Sequence, residues 1–86
     1  MTWTLVVLKR AKKDIAELPQ SIRERVRALI DSFAQDPFPH NSTELEGKWK
    51  GYRSAREGEY RVIYTTVAQI LTVTVVRVRK RGDVYR

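Results

Sequence analysis

The residues best equipped for chemistry are cations set among aromatics, and they fall in two segments. Lys48, Lys50, Arg53, Arg56 and Arg61 form the first, and Arg77, Arg79, Lys80, Arg81 and Arg86 the second. Together they hold five and five of the chain's 17 Lys and Arg residues. Trp49, Tyr52, Tyr60, Tyr64 and Tyr85 are interleaved with them. Guanidinium groups match phosphate oxygens in shape and charge. Flat rings stack on unpaired bases, so cations mixed with aromatics suit single-stranded nucleic acid.

The overall balance points the same way. The 86 residues carry 17 Lys+Arg against 10 Asp+Glu, a formal charge of +7, which fits a polyanion or an acidic protein partner. Without cysteine there is no disulfide framework, no thiolate metal site and no thiol nucleophile. A single histidine, His40, excludes multi-histidine metal sites and a two-histidine acid–base pair. No metal and no cofactor are expected. No apolar run is long enough to span a bilayer, and the N-terminal residues read as a strand rather than a secretory signal. The expected location is cytoplasmic, with no membrane partner.

These residues need elements to position them. Trp3 and Leu5 to Leu8 suit a strand over residues 2–8. Ala11, Ile15 and Leu18 are spaced i, i+4, i+7, one apolar face of a short helix over 10–18. Ile22, Val26, Leu29, Ile30 and Phe33 repeat the pattern in a second helix. Its start is set by Pro19 in the first turn or by the capping-box spacing of Ser21 and Glu24. Arg23 to Arg27 read as its solvated face. Asp36-Pro37-Phe38-Pro39 ends the helix, and His40, Asn41 and Ser42 read as loop residues. Residues 52–56 and 60–66 flank a turn at Gly58 as a β-hairpin, and the β-branched run 70–79 is a further strand.

The fold class expected is α+β in the order β-α-α-β-β-β, one domain over residues 1–86. The C-terminal strands form an antiparallel meander, the N-terminal strand joins their sheet, and the helical hairpin packs on one sheet face. The other face must be polar or covered by a partner. Alternation puts Arg61, Ile63 and Thr65 on one face and Tyr60, Val62 and Tyr64 on the other. The same rule groups Arg77 and Arg79 with Val73 and Val75, opposite Val76 and Val78. Arg61 then sits inside a strand among apolar neighbours, either for function or paired with Glu57 or Glu59. Tyr60 and Tyr64 read as core, and Trp49 as capping the core edge or meeting a partner.

Leu45-Glu46-Gly47, Arg56-Glu57-Gly58-Glu59-Tyr60-Arg61-Val62-Ile63-Tyr64 and Lys80-Arg81-Gly82-Asp83-Val84-Tyr85 resemble the RelE toxins of the RelE/ParE toxin–antitoxin superfamily. Leu18-Pro19 at the bend of the helical hairpin also matches, and the likeness covers nearly the whole chain in the same element order. The resemblance implies a type II toxin that cuts mRNA in the ribosomal A site. It also implies a RelB-like antitoxin that wraps the toxin through an acidic amphipathic segment. Matched by position, Arg61 stabilises the transition state, Arg81 serves the leaving group, Tyr85 stacks on or orients the nucleotide, and Arg56 is the first arginine of the hairpin motif. Lys80 stands where many relatives have histidine. Lys48, Lys50, Arg53, Arg77 and Arg79 are the expected RNA contacts.

Cleavage by the 2′-hydroxyl requires a base, charge stabilisation at phosphorus and a proton for the leaving 5′-oxygen. Arg56 and Arg61 suit the phosphate, and Arg81 or Lys80 the leaving group. Relatives often carry lysines before the hairpin turn, whereas Tyr52-Arg53-Ser54-Ala55-Arg56 has none. The base is therefore unassigned; Lys48 and Lys50 serve only if neighbouring cations lower a pKa. Two rivals stay open: a ParE-like toxin, which shares the expected fold and blocks DNA gyrase without cutting, and a non-catalytic RNA-binding module or decayed toxin.

Overall fold

The helical hairpin forms because two short amphipathic segments share one apolar layer. In the computed structural model, which describes residues 2–80, strand β1 (Thr4–Val7) leads into α1 (Lys9–Ala16) and α2 (Gln20–Ser32). Strands β2 (Ser42–Glu44), β3 (Arg53–Glu57), β4 (Tyr60–Val67) and β5 (Thr72–Lys80) follow. Short 3₁₀ turns lie at Gly47–Trp49 and Ala68–Ile70. Ala11, Ile15, Leu18, Val26, Ile30 and Phe33 bury against Ala55, Val62, Tyr64, Val73, Val75 and Val78 of the sheet. Phe33 and Tyr64 are fully buried and stack with centroids 4.3 Å apart. Burying each such ring stabilises the fold by roughly 1.5–3 kcal/mol. Among the described residues no helix is long and apolar enough to cross a membrane.

The α+β class, the antiparallel β3-β4-β5 meander and the helices on one face match the sequence reading. Four details complete or correct it. The sheet has five strands in the order β1-β5-β4-β3-β2, with β1 parallel to β5. The added strand is β2, paired antiparallel to β3 in residues read as loop; three polar residues carry no readable period. Helix α2 begins at Gln20 after Pro19, and no side chain caps it, so the Ser21–Glu24 box is not used. Residues 70 and 71 belong to a tight turn ending in the left-handed Leu71, at φ 45°.

The fourth correction concerns faces. Ile63 pairs with Arg77 but Tyr64 pairs with Val75, so Val76 is an extra residue in β5. This bulge reverses the alternation beyond it. Val73, Val75 and Val78 therefore all reach the helix-side core, and Val76 joins Leu45, Trp49, Tyr52 and Ile63 on the other face. The same reversal brings Arg79 opposite Arg61. The second face is thus partly covered by the chain's own 45–52 segment.

Polar groups close the remaining edges. Gly58, at φ 60°, opens the two-residue β3–β4 loop as a primed turn requires. Arg23 turns back to donate to the carbonyls of Leu18 at 3.0 Å and Ala16 at 3.4 Å, capping the end of α1. Arg25 pairs with Glu57 at 3.0 Å, so the expected solvated face of α2 is partly engaged. Past the end of β1, Asp14 meets the edge of β5. Its Oδ2 accepts from the Val78 N–H at 3.0 Å and from Arg77 Nε at 2.9 Å.

Asp14→Ala removes the acceptor from both donors. Hydrogen bonds to charged groups contribute about 1.5–3 kcal/mol. The two side chains keep 22% and 18% of their exposure, so the low end applies. The expected loss is about 1.5 kcal/mol, read as a lower urea midpoint at unchanged slope. An unchanged midpoint would contradict this role for Asp14.

Candidate functional site

The hairpin register places arginines side by side. Arg56 of β3 faces Arg61 of β4, and Arg61 faces Arg79 of β5. These three residues form one row across the sheet, on the side away from the helices. Like charges directly opposite each other destabilise a strand pair. Among the described residues none of the three makes an ion pair; the arginines that do are Arg25, Arg53 and Arg77. The pairing of Arg61 with Glu57 that the sequence left open does not occur, because Glu57 binds Arg25. Adjacent guanidiniums without an ion pair suit an anion with several oxygens, such as a phosphodiester.

A shallow pocket of about 330 Å³ lies at one end of the row, lined by His40, Asn41, Thr43, Ser54, Arg56 and Arg61. Pairing of β2 with β3 builds it. The Arg56 N–H donates to the Asn41 carbonyl at 2.9 Å, and Asn41 Nδ2 donates to the Arg56 carbonyl at 2.7 Å. Ser54 is 2% exposed, and its buried Oγ has no hydrogen-bond partner. Sequence reasoning singled out Arg56 and Arg61 but missed Asn41, Thr43 and Ser54 and read His40 as a plain loop residue. His40, Asn41 and Thr43 reach the pocket because β2, whose short polar run looks like loop, pairs with β3, while Ser54 lies two residues before Arg56 on one face of β3. Among the described residues no three His, Asp or Glu side chains gather as a metal-binding set.

The other expected site residues are dispersed. Arg53 points out of phase with Ser54 and Arg56. It donates to Ser42 Oγ at 2.8 Å, lies 3.8 Å from Glu44 and stands 5.0 Å over the Phe38 ring. Arg77 is engaged by Asp14. Arg79 ends the row at the edge of β5 nearest α1, and there it also lines a pocket with Arg10, Lys13, Asp14, Glu17 and Arg77, with no ion pair to either carboxylate among the described residues. Lys48 and Lys50 are exposed around the Gly47–Trp49 turn. Between them Trp49 packs edge-on to Tyr52, with centroids 5.4 Å apart. Lys80 pairs with Tyr60 at the end of β5, which sets it on the helix-side face and out of phase with the arginine row. Arg81 and Tyr85 lie outside the described residues.

Residues 5–85 match the family model described as ParE toxin of type II toxin–antitoxin system, parDE. The chain is 30% identical over 90 residues to toxin RelG of Mycobacterium tuberculosis, covering 100% of this chain and 99% of RelG. Its fold superposes with a TM-score of 0.84 on a chain of the RelBE2 toxin–antitoxin complex of M. tuberculosis, at 27% identity, covering 94% of this chain and 100% of that one. A chain of the archaeal RelE–RelB complex from Pyrococcus horikoshii OT3 superposes at 0.83, also 27% identical, covering 96% of this chain and 99% of that one.

The arginine row implies a stability gain on discharge. Arg61→Gln relieves repulsion from both Arg56 and Arg79 and keeps much of the stem. The expected result is a rise of about 0.5 kcal/mol in unfolding free energy, larger at low ionic strength because exposed charges are screened by salt. A loss of stability at low salt would contradict mutual repulsion along the row.

Proposed function

The chain belongs to the RelE/ParE superfamily of type II toxin–antitoxin toxins, and from that premise we propose that it is a ribosome-dependent mRNA endonuclease. In this reading it cuts message in the ribosomal A site by attack of a 2′-hydroxyl on the adjacent phosphate, and so stops translation in the cytoplasm. The row of Arg56, Arg61 and Arg79, none of which makes an ion pair among the described residues, is the observation that carries the proposal.

Arg61 and Arg56 hold the non-bridging phosphate oxygens as charge develops on them. Arg81 serves the leaving 5′-oxygen, since Lys80 stands on the opposite face of the sheet, and Tyr85 stacks on or orients the nucleotide. Lys48, Lys50 and Arg79 supply further phosphate contacts along the message, while Arg53 and Arg77 act mainly through their structural partners. The charge stabilisation comes from guanidiniums, so this scheme requires no metal ion. A site this sparse depends on an external scaffold to align its substrate, and alignment alone supplies much of a rate enhancement. The ribosome is that scaffold.

A cognate antitoxin is part of the same proposal. The M. tuberculosis and P. horikoshii relatives were solved as toxin–antitoxin complexes. A chain at +7 suits an acidic amphipathic segment that folds as it binds. The name of the matching family model favours a second reading, a ParE-like toxin that blocks DNA gyrase and cuts nothing.

Primer extension on a translated mRNA after a brief expression pulse separates the two. New 5′ ends inside translated codons are expected with the native chain. Arg61→Ala is expected to reduce them about 100-fold or more, the effect of losing a main oxyanion stabiliser. Growth arrest with intact mRNA and gyrase-dependent DNA breaks would establish the second reading instead.

A further inference from the structure

We infer that His40 is the base that takes the proton from the attacking 2′-hydroxyl, an assignment that rests on the endonuclease reading above. His40 is the chain's one histidine, and it lines the same pocket as Arg56, Arg61 and Ser54. Imidazole is the side chain whose ordinary titration lies nearest neutral pH, which suits it to exchange a proton there. Among the described residues, the other charged groups lining the pocket are Arg56 from β3 and Arg61 from β4, and no carboxylate lines it.

The loop that carries His40 is held at almost every neighbouring residue. Tyr64 Oη donates to the Pro37 carbonyl at 2.7 Å, and the Phe38 N–H donates to Asp36 Oδ1 at 2.9 Å. The Phe38 ring meets Trp3 edge-on at 5.9 Å and lies under the Arg53 guanidinium. The N–H and Oγ of Ser42 both donate to the Pro39 carbonyl, at 3.0 and 2.8 Å. Asn41 is fixed to Arg56 by its paired hydrogen bonds. His40 itself is exposed, and among the described residues its imidazole makes no hydrogen bond. The loop's conformation therefore does not need an imidazole at position 40, yet it delivers one to the phosphate-binding arginines.

Ser54 gives a second, independent sign that the pocket takes a polar ligand. Its hydroxyl is buried and unpartnered, a state that costs about 1–3 kcal/mol unless an incoming group completes it. A ribose hydroxyl or a phosphate oxygen would do so. In the step proposed, the neutral imidazole takes the 2′-hydroxyl proton as the O2′–P bond forms. The P–O5′ bond breaks, and the departing 5′-oxygen takes a proton from solvent water. The products are a 2′,3′-cyclic phosphate and a 5′-hydroxyl. The imidazolium then returns its proton to solvent.

Single-turnover cleavage on purified ribosomes carrying a defined message tests this with the native chain, Arg61→Ala, His40→Gln and His40→Ala. The native rate is expected to fall about tenfold per pH unit on the acid side, where an imidazole becomes protonated. His40→Gln is expected to be about 100-fold slower or more and to lose that acid-side fall. Imidazole added to the buffer is expected to restore part of the rate to His40→Ala. If His40→Gln cuts at the native rate with the native pH profile, the assignment is wrong while the endonuclease reading stands. A native profile with no acid-side fall also overturns the assignment, whatever the variants do. If the folded native chain cuts nothing on the ribosome, the endonuclease reading fails and the role of His40 fails with it.

Discussion

The buried phenol of Tyr64 joins the core of this protein to its candidate site. Its ring stacks on Phe33 beneath the helical hairpin, and its hydroxyl reaches the Pro37 carbonyl. A buried carbonyl left without that donor would cost about 1–3 kcal/mol, so the loop after α2 is held in one course. That course brings Asn41 against Arg56 and lets β2 pair with β3. One side chain therefore anchors both the helix-side core and the wall of the pocket on the opposite face.

The treatment of the arginines divides in two. Arg25, Arg53 and Arg77 each find a carboxylate, and Arg23 finds carbonyl groups at the end of α1. Arg56, Arg61 and Arg79 are set next to one another instead. Carboxylates were within reach of the same strands, but Glu57 turns to α2 and Asp14 binds Arg77. A sheet selected for stability alone would not place its charges this way. Conflicts of this kind between local energetics and the fold concentrate where a ligand acts. The bulge at Val76 is part of the arrangement, since without the extra residue Arg79 would leave the row.

Much of the frame was legible because it depends on strong periodicities. The i, i+4, i+7 spacing of Ala11, Ile15 and Leu18 and the longer repeat from Ile22 to Phe33 found both helices, and Gly58 marked the hairpin. The face of Arg61 was also read correctly, since β4 alternates without interruption from Tyr60 to Thr65. The bulge was not legible. A β-branched run looks the same whether or not one residue is extra, so Arg77, Val78 and Arg79 were assigned to the wrong faces. The pocket was half legible: Arg56 and Arg61 stood out by type and spacing. Ser54 shares the face of Arg56 by simple alternation on β3 but is a residue type that draws no notice, whereas His40 meets the arginines only through the pairing of β2 with β3, which no local pattern announces.

The central claim is that the arginine row is a binding feature for a phosphate chain. The most direct measurement is the affinity for a short single-stranded RNA as a function of salt, for the native chain and for Arg61→Gln. Each phosphate neutralised on a single strand contributes about 0.7 to the slope of log affinity against log salt concentration. Binding is expected to weaken steeply with salt, with a slope reduced by about 0.7 in Arg61→Gln. An unchanged slope, or no salt-sensitive binding by the native chain, would contradict it.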